Sequence, residues 1–122
     1  MTIAHAIARF DVLYPNSFAY HEKLKWLSEL DGVIFHDIFS AYKDSKVKSF
    51  DGYTIKTDKQ TELLVPFPAD DIYIKYLAAQ CDCANSDSVR YQNSSMLFNY
   101  AYSAFADRYN RTHTANSTDI II

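Results

Sequence analysis

Six side chains of this sequence are of the types that nucleophilic or metal chemistry requires: Cys81, Cys83, His5, His21, His36 and His113. A zinc site on a helix pairs histidines four residues apart, so that both rings leave the same face. No two histidines here have that spacing. His21-Glu22 and His36-Asp37 are sequence neighbours, which on a helix point about 100° apart and make no acid–base pair. A cysteine nucleophile needs a histidine brought alongside by the fold. Only a convergence of His36, Asp37 and Cys83 would supply one, and the aliphatic surroundings of both cysteines predict inert, buried thiols. Cys81 and Cys83 stand two apart on a predicted helix, a poor geometry for a disulfide or a shared metal. Gly32 and Gly52 belong to no glycine-rich turn, which excludes a phosphate loop. The expectation is a protein that is not an enzyme and uses no cofactor and no metal.

Charge narrows the partners in the same way. A net charge of -3 and a pI near 5.7 give no long-range attraction for nucleic acid phosphates. Lys43, Lys46, Lys48, Lys56 and Lys59 gather in one stretch, but Asp44, Asp51 and Asp58 are interleaved, as in a solvated, charge-balanced loop. Arg108 and Arg111 close the last predicted helix, where cations suit the dipole. The first nine residues lack a basic region followed by an apolar stretch, and no run approaches a membrane span, so residence in a cytoplasm is expected. The glycosylation-like triplets Asn93-Ser94-Ser95, Asn110-Arg111-Thr112 and Asn116-Ser117-Thr118 are therefore read as chance.

The elements that would position these residues read as helices. With 122 residues, the chain suits one domain, and 48% hydrophobic residues argue for a folded one. Two glycines and three prolines are too few for the many turns of a sandwich or barrel. Ile3, Ile7, Phe10 and Tyr14 have helical spacing, and Pro15-Asn16-Ser17 follows as a stop. A first long helix is predicted over 18–42, with Leu24, Leu27, Leu30, Ile34 and Ile38 on one face and Glu22, Lys23, Lys25 and Glu29 mostly on the other. Gly32 within it predicts either a kink or a close approach to the backbone. A further helix begins at Asp70-Asp71 and, with Ile72, Tyr73, Tyr76, Leu77 and Cys81, should be the most buried. Asn85-Ser86-Asp87-Ser88 breaks it and caps a last helix over 89–111, whose stripe is Tyr91, Phe98, Tyr102, Phe105 and Tyr109. Between the long helices, Lys46-Val47-Lys48-Ser49-Phe50 and Thr61-Glu62-Leu63-Leu64-Val65 alternate as two short strands, predicting a hairpin or long loop at about 46–66. The fold class is mainly α: a small helical bundle over 1–113 with that insertion, followed by an extended tail over 114–122.

Ten tyrosines and eight phenylalanines suit interfaces, because tyrosine joins a large apolar area to a polar hydroxyl. Trp26, Leu27, Leu30, Tyr76, Leu77, Phe98, Tyr102 and Phe105 are the predicted core. A two-stranded hairpin is marginal alone, so its edge should pack on the helices or pair with another chain. The candidate contact residues are Phe50, Tyr53, Leu63 and Val65 on the hairpin and Ile120, Ile121 and Ile122 on the tail.

Several words in the chain carry a resemblance: Lys25-Trp26-Leu27-Ser28-Glu29-Leu30-Asp31-Gly32, Thr61-Glu62-Leu63-Leu64-Val65-Pro66, Asp70-Asp71-Ile72-Tyr73, Tyr91-Gln92-Asn93-Ser94 with Phe98-Asn99, and Tyr109-Asn110-Arg111-Thr112-His113. In this order they resemble the head-tail connector, or adaptor, proteins of tailed phages and prophages. The resemblance runs from about Ile3 to His113 and does not extend to the Ile120 to Ile122 tail or to Cys81 and Cys83. It implies a homo-oligomeric ring of about a dozen copies in the virion, beneath the portal protein and above the next connector or tail-completion protein. DNA would pass through the ring without sequence-specific binding, and no membrane would be involved. The alternative is a bacterial or prophage helical protein-binding module that acts as a monomer or dimer.

Overall fold

The computed structural model describes residues 1–113; the predicted tail, with Ile120, Ile121 and Ile122, lies outside the described residues. The order of elements is α1 (Ile3–Leu13), α2 (Tyr20–Asp37), α3 (Ile72–Ala84) and α4 (Ser88–Thr112), with short 3-10 turns at Phe39–Ala41 and Ala69–Asp71.

Local chemistry sets most helix ends. Thr2 caps α1 by accepting the backbone N–H of His5 on its hydroxyl, and Ile3, Ala6, Ile7 and Phe10 form the buried stripe. Tyr14 folds back on Phe10, with ring centroids 5.3 Å apart, where Pro15 forbids further helix. Helix α2 buries Leu24, Trp26, Leu27, Leu30 and Ile34. It ends at Asp37 rather than 42, because the chain tightens into the 3-10 turn that sends Phe39 into the core. Ser86 takes a positive φ of 56°, and Asp87 then caps α4 through the N–H of Arg90, so α3 and α4 form a tight helical hairpin.

Helix α3 is the most buried for its length, with seven of its 13 residues inside. Of the predicted core, Trp26, Leu27, Leu30, Leu77 and Phe105 are buried, whereas Tyr76, Phe98 and Tyr102 are only partly so and pack against its edge. Lys23 belongs to the interior and not to the solvated face: it is 5% exposed. Its ammonium lies 2.7 Å from Asp11 Oδ1 and 3.2 Å from Asn16 Oδ1, which ties the α1–α2 turn to α2. The close approach to the backbone is not found at Gly32: a Cβ there would meet nothing within 4 Å.

The hairpin at 46–66 is not formed. Among the described residues there is no strand; Thr2 and Glu62 form an isolated antiparallel bridge. The backbone groups that a partner strand would have satisfied are taken elsewhere. The N–H of Leu63 reaches Met1 O, the N–H groups of Ile3 and Ala4 reach Thr61 O and Lys59 O, and the N–H groups of Leu64 and Val65 go to side chains. Alternation in 61–65 reflects alternate burial of one ordered segment against the bundle, where Leu63 and Val65 face inward.

Candidate functional site

The residues expected to make contacts have divided fates. Leu63 and Val65 are 5% and 0% exposed and are spent on this chain's own core, which removes them as contact residues. Phe50 and Tyr53 are half-buried and pack edge to face, with centroids 5.0 Å apart. Ile120, Ile121 and Ile122 lie outside the described residues.

Tyr53 leads to a site that the sequence reading passed over. Asp31, fully buried on α2, accepts three hydrogen bonds: from Tyr73 Oη on Oδ1 at 2.6 Å, and from Tyr53 Oη and the Leu64 N–H on Oδ2 at 2.5 and 3.1 Å. Tyr73 Oη in turn accepts the Val65 N–H at 2.7 Å. Burial holds the Asp31 carboxyl above its ordinary value, although the three donors pull it back. Burial, with the charge of Asp31 beside them, pushes the Tyr53 and Tyr73 hydroxyls upward, so both stay protonated and donate. Both carboxylate oxygens are engaged and shielded from solvent, so the group organises the fold and cannot reach a substrate. The available signal was position: Asp31 lies four residues after Leu27 and three before Ile34, a lone acid on the apolar stripe.

The chemistry-bearing residues remain dispersed. Cys81 is buried, while Cys83 is exposed, contrary to the expectation of two buried thiols. His5, His21 and His36 are exposed, and His113 stacks on Tyr109 at 3.6 Å. His21 Nε2 does come within 3.9 Å of Glu22 Oε1, closer than their directions on the helix suggested, but as an open surface contact. Among the described residues, no three His, Cys, Asp or Glu side chains are placed to hold a metal ion. Nor is any described helix long and apolar enough to cross a membrane.

Two surfaces stand out instead, both on α4. Its 25 residues span about 37 Å, against about 20 Å for the 13-residue α3 on which it packs. Only Phe105 of α4 is buried. Opposite the packed stripe, Val89, Met96, Leu97 and Tyr100 are 77, 64, 50 and 79% exposed. From 91 to 106 the helix holds no Asp, Glu, Lys, Arg or His, so this outer face is uncharged over more than four turns, its exposed apolar side chains interleaved with the neutral polar Gln92, Asn93 and Ser103.

The second surface is a groove of about 540 Å³ beside the last turns of α4. Its lining includes Phe39, Leu64, Phe105, Tyr109, His113 and Phe67, the last 84% exposed. Phe39 stacks on Tyr109 at 4.8 Å and His113 stacks on Tyr109, which orders these three rings. Lys46, Arg108 and Asp44 stand at the rim.

Known protein families, curated proteins and solved structures offer no match to this chain.

Proposed function

We propose that this protein is a structural virion component, a head-tail connector of the adaptor type, whose copies assemble into a ring beneath the portal. The observation that carries the reading is the outer face of α4. An exposed helix face ordinarily carries charged residues, and a monomer gains nothing by leaving Met96, Leu97 and Tyr100 in water. Copies of one chain meeting through such a face would meet no like-charge repulsion. Ring closure lets modest contacts suffice, since each copy meets two neighbours and a partner at once. An acidic chain lining a channel would let DNA pass without sticking. The subunit contacts of this reading lie on α4 and not on a hairpin edge.

The groove beside His113 favours a second reading, a monomeric or dimeric helical module that holds a peptide, because concave apolar sites of about 300–1,000 Å³ suit small or extended ligands. Light scattering separates the two. The purified protein is weighed alone and with the portal of the same genome, followed by particle imaging. A ring on the portal, lost in Leu97→Glu/Tyr100→Glu, is the expected result. A protein that stays small and ignores the portal would overturn the connector reading.

A further inference from the structure

We infer that two copies of the free protein pair antiparallel along the outer stripe of α4, across a two-fold axis that passes between Phe98 and Asn99. The inference concerns the free protein and rests on the spacing, charge and exposure of α4, not on the connector reading.

The stripe is Arg90, Asn93, Leu97, Tyr100, Ala104 and Asp107, all exposed. Its intervals alternate between three and four residues, the spacing at which one helix keeps a narrow seam against another. Turned end for end about the point between Phe98 and Asn99, the stripe complements itself. Leu97 falls opposite the second copy's Tyr100, Asn93 opposite the second copy's Ala104, and Arg90 opposite the second copy's Asp107. The apolar pair lies at the centre and opposite charges meet at both ends, so the centre supplies affinity and the ends set direction.

Charge selects a second copy as the occupant. Neither Arg90 nor Asp107 enters an ion pair among the described residues. About 25 Å of helix separates them, so they do not meet in one chain, but they meet twice in the antiparallel pair. In the same alignment Arg108 falls opposite Val89 and Arg111 opposite Ser86, so no like charges of α4 are opposed. A parallel pair would instead set Arg90 beside Arg90 and Asp107 beside Asp107. Leu97, Tyr100 and Ala104 also line a recess of about 340 Å³ with Ala69 and Lys75, which offers space beside the stripe for the second copy's Tyr100 ring. Such a contact is isologous: it closes at two copies and leaves this face of α4 nothing to offer a third. A ring built through the same face therefore forms only after the pair has opened.

The test is sedimentation equilibrium of the full chain without portal, from about 1 to about 500 μM. The expected species is a dimer, twice the 14.0 kDa of one chain. Arg90→Glu alone, or Asp107→Arg alone, opposes like charges at both ends and should weaken the pair by about tenfold or more, whereas Arg90→Glu/Asp107→Arg should restore it. Both reversals are at exposed positions and suit the helix dipole, so the far-ultraviolet helix signal should not change. A chain that stays monomeric throughout, or that grows past a dimer, overturns the pairing. So does a dimer that is indifferent to the single reversals or is not restored by the double one, because any other alignment parts the two sites. With no portal present, failure here leaves the connector reading standing, and a dimer that later ignores the portal counts against that reading alone.

Discussion

Two buried charged side chains make opposite predictions. Asp31→Ala leaves two tyrosine hydroxyls and the Leu64 N–H without their acceptor, and should cost about 3 kcal/mol or more by urea unfolding. Lys23→Met keeps the packed stem and frees Asp11, which can hydrate, so its cost should stay within about 1 kcal/mol. Their pH responses also run in opposite directions. The Asp31 carboxyl is raised in the fold, so its contribution is complete below the ordinary carboxylate value and is lost as pH rises through the raised one. The parent's stability advantage over Asp31→Asn should therefore shrink from acid toward neutral pH. Burial raises Asp11 too, but the hydrogen bonds from Lys23 and Asn16 and the charge of Lys23 outweigh it, and its value is lowered. Its contribution is present above the ordinary value and fades as pH falls through the lowered one. Neither residue was legible as a site, for the same physical reason. Periodicity places a polar residue on a face, but whether it is buried depends on partners such as Tyr53 and Tyr73, which lie 22 and 42 residues away.

At the scale of elements, the two glycines differ in a way that substitution should expose. Gly32→Ala enters open space within a helix and should stabilise by about 0.5–1 kcal/mol, read as a higher unfolding midpoint. Gly52→Ala must hold a φ of +95° with its Cβ 3.1 Å from Ser28 Oγ, the atom that accepts the Tyr53 N–H, and should destabilise by more than about 1 kcal/mol. The helices themselves were readable from their patterns. The Asn85-Ser86-Asp87-Ser88 interruption and the Asp87 cap placed α4 within a residue or so of its observed ends, because caps and breakers act locally. The segment from Lys43 to Pro68 was misread because period-two alternation reports which side chains are buried and not what the backbone bonds to. Its partners are the first residues of the chain, Asp31 and Tyr73, none of which a hairpin would use.

The whole molecule is a bundle with one helix much longer than the packing beneath it, and the proposed association follows from that excess. Because the outer face of α4 is uncharged between 91 and 106, association through it should persist when ionic strength rises from about 0.1 to about 1 M, where the Debye length falls from about 10 to about 3 Å. Sedimentation at the two salt concentrations checks this. Dissociation in high salt would point instead to the charged ends of the helix. Asp31 bears on the molecule as a whole in another way. Helix α2, the Gly52-Tyr53 turn, the segment entering α3 and α3 itself all converge on that one carboxylate, directly or through Tyr73. The irregular stretch therefore cannot lift away while the helices stay assembled, and the Leu64 and Val65 amides should exchange with deuterated solvent as slowly as the centre of α3. A stretch without regular secondary structure would then open only when the entire bundle does, making it part of the cooperative folding unit.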